Sequence, residues 1–213
     1  MSIITISHFQ KPNELYIPLS VAVPTSNSSN ATPNNNAYLT ALIEKDEKEV
    51  LINALGLATY NTLQLAISDD FVNPIYASYE KLVKGDEYDG KIWNGLEYDY
   101  SLLAFKVFED FVTETNIRLS AVGTVEVNPQ GANLATPAYK IANANANFIK
   151  QYQQGYLNAP IVYNDGEFTD WYGQNNGVFV SMYQYLIDKK ADFVDWSEEK
   201  FRPTCDTKNS FGI

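Results

Sequence analysis

Asp165, Glu167 and Asp170 fall within six residues and run straight into Trp171 and Tyr172. Carboxylates on either side of a sugar ring are the equipment of a glycoside hydrolase, and an aromatic neighbour gives the ring a surface to lie on. The same residues, in a segment rich in Gly and Asn, suit an aromatic-rich carbohydrate-binding module or a plain solvated loop. Spacing along the chain does not set the distance between carboxyl groups, so the three readings stay open at this point.

Other chemistry is thinly furnished. A Ser or Cys nucleophile usually needs a histidine base. The one histidine, His8, lies close to the N-terminus and is expected as an incidental surface residue. Cys205 has no basic or histidine neighbour to activate its thiol and is expected to be idle. A single His and a single Cys cannot assemble a zinc site. The acidic run Asp86-Glu-Tyr-Asp89 lacks the alternating ligands, central glycine and closing glutamate of a calcium loop, so a solvated turn is expected. Gly85, Gly90 and Gly95 follow no strand-to-helix pattern and lack the Gly-Lys-Ser/Thr ending of a phosphate loop. No catalytic residue, metal or cofactor is expected, and the chain is read as a non-enzyme.

The whole composition bounds what these residues can belong to. At 213 residues with 45% hydrophobic content, one globular domain is the simplest expectation. Fifteen Tyr, eleven Phe and three Trp point to aromatic filling of core and interfaces. With 15 basic against 26 acidic residues the formal charge is -11, and no basic cluster exceeds Lys189-Lys190. An electrostatic footprint for nucleic acid is missing, and an anionic membrane surface would repel the chain. One cysteine leaves no internal disulfide and fits a reducing cytoplasm. The N-terminus lacks the basic flank of a signal peptide, and no run approaches the roughly 20 apolar residues of a membrane span.

The elements that must position these residues are mainly helical. Residues 1–36 are expected as an N-terminal β arm with a flexible Ser/Asn-rich loop. Ile4 and Ile6 alternate briefly, and Leu15, Ile17, Leu19, Val21 and Val23 then alternate as an edge strand broken by Pro18. Residues 37–196 are expected as a helical bundle. A first helix from about Ala37 shows Glu44, Lys45, Glu47, Lys48 and Glu49 to solvent and stops at Gly56. A second runs from about Leu57 to Ile67, and Asn73-Pro74 caps a third that ends at Gly85. A turn-rich connector then leads to the longest helix, Tyr100 to Leu119. Thr136-Pro137 opens another, with Ile141, Ala142, Asn145, Phe148, Ile149 and Tyr152 on one side. A last helix uses Val178, Phe179, Met182, Tyr183, Leu186 and Ile187. Residues 197–213 are expected as a polar tail.

Between the two central long helices, residues 120–136 are neither helix nor ordinary loop. Val125 and Val127 alternate with Thr124 and Glu126, and Gly123, Asn128-Pro129 and Gly131 mark turns. Such a β-hairpin-like excursion is expected to have few backbone partners in its own chain and to pair with a neighbouring molecule. The interface candidates are therefore Leu15, Ile17, Leu19 and Val21 in the arm, with Gly123, Thr124, Val125, Glu126 and Val127 in the excursion.

Three stretches carry a family likeness. They are Ala41-Leu-Ile-Glu-Lys-Asp-Glu-Lys-Glu-Val-Leu-Ile-Asn-Ala-Leu-Gly56 leading into Leu57-Ala-Thr-Tyr60, then Lys91-Ile-Trp-Asn-Gly-Leu96, then Gly123-Thr-Val-Glu-Val127 followed by Ala135-Thr-Pro-Ala-Tyr-Lys140. In their order and spacing they resemble the head-tail connector, or adaptor, proteins of tailed bacteriophages. The nearest group is the ring proteins of crAss-like and other Bacteroidetes phages. The resemblance spans residues 37–155 and implies a helical virion protein with a hairpin between its core helices. Copies would dock as a homo-oligomeric ring, usually dodecameric, beneath the portal protein. The ring would meet other ring or tail proteins and pass DNA only as cargo, without a membrane. The arm and the extension beyond Trp196 exceed a minimal adaptor.

Overall fold

In the computed structural model, residues 2–11, 14–17, 35–120, 123–126, 138–153 and 178–204 are described, with backbone alone for 115–126. In chain order the elements are α1 (Asn35–Ser68), α2 (Ala77–Lys84), β1 (Asp86–Tyr88), β2 (Lys91–Trp93), α3 (Leu102–Asn116), β3 (Ile117–Ser120), β4 (Gly123–Glu126), α4 (Ala138–Gln153) and α5 (Met182–Asp188). The protein is mainly helical, and among the described residues the strands form two small antiparallel ribbons, β1–β2 and β3–β4. The chain divides into two compact units. The first holds residues 2–48 and 99–148, and the second holds residues 49–98 and those from 149 onward.

In the first unit, the start of α1 packs with α3, α4 and the N-terminal segment. The described part of that segment forms no strand. Ile6–Phe9 is a single 3-10 turn, and the Ile17 amide donates to the Phe9 carbonyl at 2.9 Å. Ile3, Ile4, Phe9, Leu15 and Ile17 are all buried. An irregular chain that dips repeatedly into a core leaves the same alternation in sequence as a half-buried strand, which is why the residues looked like β. His8, expected at the surface, is buried with its Nδ1 3.1 Å from the Thr5 amide.

α3 starts at Leu102, where the Ser101 hydroxyl accepts the Ala104 amide at 3.3 Å. Of the expected core stripe Tyr100, Leu103, Ala104, Val107, Phe108, Phe111 and Thr115, the five from Leu103 to Phe111 are buried, joined by Leu102 and Phe105. Tyr100 is half-buried ahead of the helix, and the side chain of Thr115 lies outside those described. The helix ends at Asn116, three residues short of the expected Leu119, because Ile117–Ser120 pairs as β3. Helix propensity is a weak prior, and a β-branched start to a paired segment overrides it. α4 opens directly after Pro137, and Ala144 and Phe148 supply its buried side in this unit, whereas Ala142 is exposed.

In the second unit α1 kinks at Gly56, whose φ of 73° and ψ of 161° are open to glycine alone. The helix break expected at this glycine is therefore real. It leaves carbonyls of the preceding turn without intrahelical donors. The C-terminal segment supplies them. The Arg202 amide donates to the Asn53 carbonyl at 2.8 Å, and the Trp196 indole N–H to the Ala54 carbonyl at 2.9 Å. Residues 197–204 thus form no polar tail. Phe201 is buried and stacks on Tyr152 with ring centroids 4.8 Å apart, while the Tyr152 hydroxyl donates to the Arg202 carbonyl at 2.8 Å.

Asn73 caps the turn that leads into α2, its side chain accepting the Ile75 amide at 3.2 Å, and α2 stops at Gly85. The connector beyond is a two-stranded hairpin. Asp89 and Gly90, with φ of 47° and 75°, make the mirror-image two-residue turn that matches strand twist. The Ile92 carbonyl accepts the Val180 amide at 3.0 Å, so Val178–Val180 runs extended beside β2 and α5 begins only at Met182. By length and composition α1 is also apolar enough to cross a membrane, against the sequence expectation. Val50–Ser68 contains no charged residue, although Asn, Thr and Gln break its apolar run.

Candidate functional site

The β3–β4 ribbon is the site that the sequence singled out, and the first unit builds a base for it. Its register pairs Ile117 with Glu126, Arg118 with Val125, Leu119 with Thr124 and Ser120 with Gly123. The strand containing Gly123, Thr124, Val125 and Glu126 therefore has a partner in its own chain, contrary to expectation. That partner, Ile117–Ser120, falls largely within the span expected as the end of the helix. In a ribbon of two strands each strand keeps one outer edge, and no third strand joins either edge among the described residues. Val127 lies outside them.

Charge and packing fix the helix on which the ribbon stands. Near the end of α3, Glu114 accepts a hydrogen bond from the Tyr38 hydroxyl of α1, and Lys45 of α1 lies 3.6 Å from the same carboxylate. The Tyr38 ring sits 5.9 Å from that of Phe111. Burial, then the neighbouring Glu114 carboxylate, push the Tyr38 hydroxyl well above its ordinary pKa, which keeps it a hydrogen-bond donor. One turn earlier, Asn145 of α4 donates to the buried Glu109 at 3.1 Å. Lys106 reaches Asp110 at 2.8 Å and Glu109 at 3.8 Å. Burial would lower the Lys106 pKa, but these carboxylates outweigh it and hold the ammonium charged.

The arm candidates divide. Leu15 and Ile17 are buried against their own chain and offer no free surface, while Leu19 and Val21 lie outside the described residues. So do Asp165, Glu167, Asp170, Trp171, Tyr172 and Cys205. Glu47, expected on the solvent face of α1, is buried instead. Its carboxylate accepts the Ile3 amide at 2.9 Å and the Ile4 amide at 3.4 Å. Burial raises its pKa to about 7, even though the two amide bonds pull the other way. Nothing local in the sequence distinguishes Glu47 from Glu44 or Glu49. Its burial depends on a segment more than forty residues away.

In the second unit the expected solvated turn at Asp86 is part of a charged and aromatic cluster. Asp86 lies 3.3 Å from Lys81 and 3.7 Å from Lys189. Asp188 accepts Lys91 at 2.6 Å, the Tyr88 hydroxyl at 2.9 Å and Gln184 at 2.7 Å. Burial would raise the Asp188 pKa, but these donors outweigh it and hold it below the ordinary carboxylate value. Tyr185 stacks on Trp93 at 5.4 Å, and the Lys189 ammonium lies 4.2 Å from the centre of the Tyr88 ring. Every member points to another, so the cluster joins the β1–β2 hairpin to α5. Among the described residues no group of three or more His, Cys, Asp or Glu is placed to hold a metal ion.

No protein-family model, curated protein or solved structure matches this chain.

Proposed function

We propose that this protein is a virion component, a ring-forming adaptor that joins the portal of a tailed bacteriophage to its tail. The observation that carries the proposal is the β3–β4 ribbon, set between α3 and α4 with an outer edge on each strand. Main-chain groups on such an edge recognise another strand by geometry and give orientation without any chemistry. Head-to-tail contacts between copies close into a ring when their rotation divides a full turn. Around the ribbon, helices tied by Glu114, Lys45, Glu109 and Asn145 give it a firm base. The family likeness of three sequence stretches points the same way, and the net charge of -11 suits a wall past which DNA slides as cargo.

The test is the mass of the full chain in solution, alone and mixed with a candidate portal protein, by native mass spectrometry. A closed oligomer, dodecameric alone or on the portal, is expected. A monomer under both conditions would remove the adaptor reading. Turnover of a glycan, or its capture by a monomer, would put a carbohydrate-directed function in its place.

A further inference from the structure

One side of the second half of α1 is exposed yet carries no charge. From Leu57 to Ser68 the chain has no Asp, Glu, Lys or Arg, although charged residues make up 19% of the protein. Leu57, Asn61 and Leu65 are spaced four apart and share one helix face. Leu65 borders Asn73 and Tyr76 of the turn after α1, and that turn presents Val72 and Ile75. Leu57, Leu65, Val72 and Ile75 are 59–78% exposed. The turn is built tightly. The Phe71 amide bonds the Ala66 carbonyl and the Asp70 amide the Ile67 carbonyl, a Schellman cap. Asp70 and Phe71 hold φ of 50° and 56°, in the left-handed region that side chains disfavour.

The first unit offers a matching hollow of about 140 Å³, walled by Leu15, Phe105, Phe108 and Ala144, with Tyr139 and Lys140 also lining it. That volume is close to the roughly 150 Å³ of an apolar cavity that admits benzene, so it suits one hydrophobic side chain and not a cofactor. Tyr139 is 81% exposed. The one carboxylate lining the hollow, Glu14, faces the Asn143 amide at 3.4 Å, and Lys140 has no ion pair among the described residues.

We propose that the uncharged face of α1 and its Val72–Ile75 tip dock on a second copy of this chain, with Val72 seated in the Tyr139–Lys140 hollow. Two copies each carrying -11 repel, and they approach best where anions are few, as along residues 57–68. Interface centres are depleted of charge in the same way. Asp69 and Asp70 flank the tip, and the Lys84 ammonium lies 5.5 Å from the centre of the Phe71 ring beside it. The tip keeps a net negative charge, so packing tip against tip would still oppose acid to acid. Packing the tip on the hollow brings Asp70 to Lys140. The acidic tip also disfavours an anionic membrane as the occupant. The contact joins two different patches, which is the head-to-tail kind an adaptor ring requires, and in that respect it rests on the function proposed above.

Sedimentation velocity on the full chain tests it, with Leu65→Glu, Val72→Glu, Asp70→Lys, Lys140→Glu and the last two combined. All four positions are at the surface, and circular dichroism checks that the fold is kept. Leu65→Glu and Val72→Glu should each weaken self-association about 30-fold or more. Each single charge reversal should weaken it less, and the combined reversal should restore it. If wild type assembles and Leu65→Glu and Val72→Glu assemble equally well, the contact lies elsewhere and the adaptor reading survives. Assembly lost in the single charge variants and not regained in the double would overturn the Asp70–Lys140 orientation. A chain that stays monomeric, alone and with the portal, overturns both proposals. A monomer that binds phosphatidylglycerol–phosphatidylcholine vesicles through Leu65 and Val72 would make this face a membrane contact instead.

Discussion

A carboxyl group 2.9 Å from the Ile3 amide and closed off from water gives Glu47 a proton equilibrium near neutrality. In the unfolded chain its pKa is the ordinary 4.5, and in the folded protein about 7. Below pH 4.5 both states hold the proton and the residue has no pH-dependent effect. Between the two values the folded state alone keeps it, so stability falls as pH rises and the full cost is present above about 7. The size of that fall is on the order of 3 kcal/mol. Glu47→Gln keeps an oxygen for the two amides and removes the charge. Urea unfolding should show wild type less stable at pH 8 than at pH 5, and the variant flatter across that range. Equal slopes for the two proteins would disprove it. Gly56 is a second residue where one atom decides. A Cβ there would lie 3.0 Å from Lys200 Cδ on a backbone with φ of 73°. Lys200 can move aside, but the backbone cannot relax without losing the kink. Gly56→Ala should therefore cost about 1–3 kcal/mol in thermal or chemical unfolding, and an unchanged melting temperature would remove the kink from the list of constraints.

At the level of elements, the β3–β4 ribbon should be separable from the helices that support it. Proline at position 125 takes an N–H out of β4 and fixes φ, which a ribbon tolerates poorly. The packed face of α3, from Leu102 to Phe111, stays intact in such a variant. Val125→Pro should thus keep its far-UV helical signal and fail to join the portal assembly. A variant that still enters particles and yields tailed, infectious phage would show that the ribbon is not the joint. The elements also differ in how plainly the sequence announced them. The kink at Gly56, the Asn73 cap and the start of α4 after Pro137 are written in one or two residues, and each lies where expected. In the β1–β2 hairpin only the turn was legible, as a turn-rich connector, because its strands of three residues are too short to show a period. β3 was hidden because Ile117–Ser120 continues the helical spacing of α3, and only the register with β4 makes it a strand. The burial of Leu15, Ile17, Glu47 and Phe201 was hidden for a related reason, since each is set by partners far along the chain.

Over the whole molecule, seven of the thirteen lysines stand beside acids of their own chain. Lys11, Lys45, Lys81, Lys84, Lys91, Lys106 and Lys189 each lie within 4 Å of a carboxylate of this chain. Even where three of them gather, at Lys81, Lys91 and Lys189, Asp86 and Asp188 stand among them. Folding therefore sets these lysines among acids in the described residues, and the chain as a whole keeps its excess of 26 acidic over 15 basic residues. Duplex DNA binding draws its free energy from releasing counterions as lysines and arginines meet phosphates, and a protein without free cations in a row gains little of it. The isolated chain should leave duplex DNA unretarded in a gel-shift assay at physiological salt. Lowering the salt should not rescue binding, because the field that lengthens is repulsive. Around a ring the same repulsion would keep a passing duplex from sticking to the wall. Retardation at physiological salt that weakens steeply as salt is added would mean that a cationic surface exists after all, and the molecule would then grip DNA where we expect it to let DNA pass.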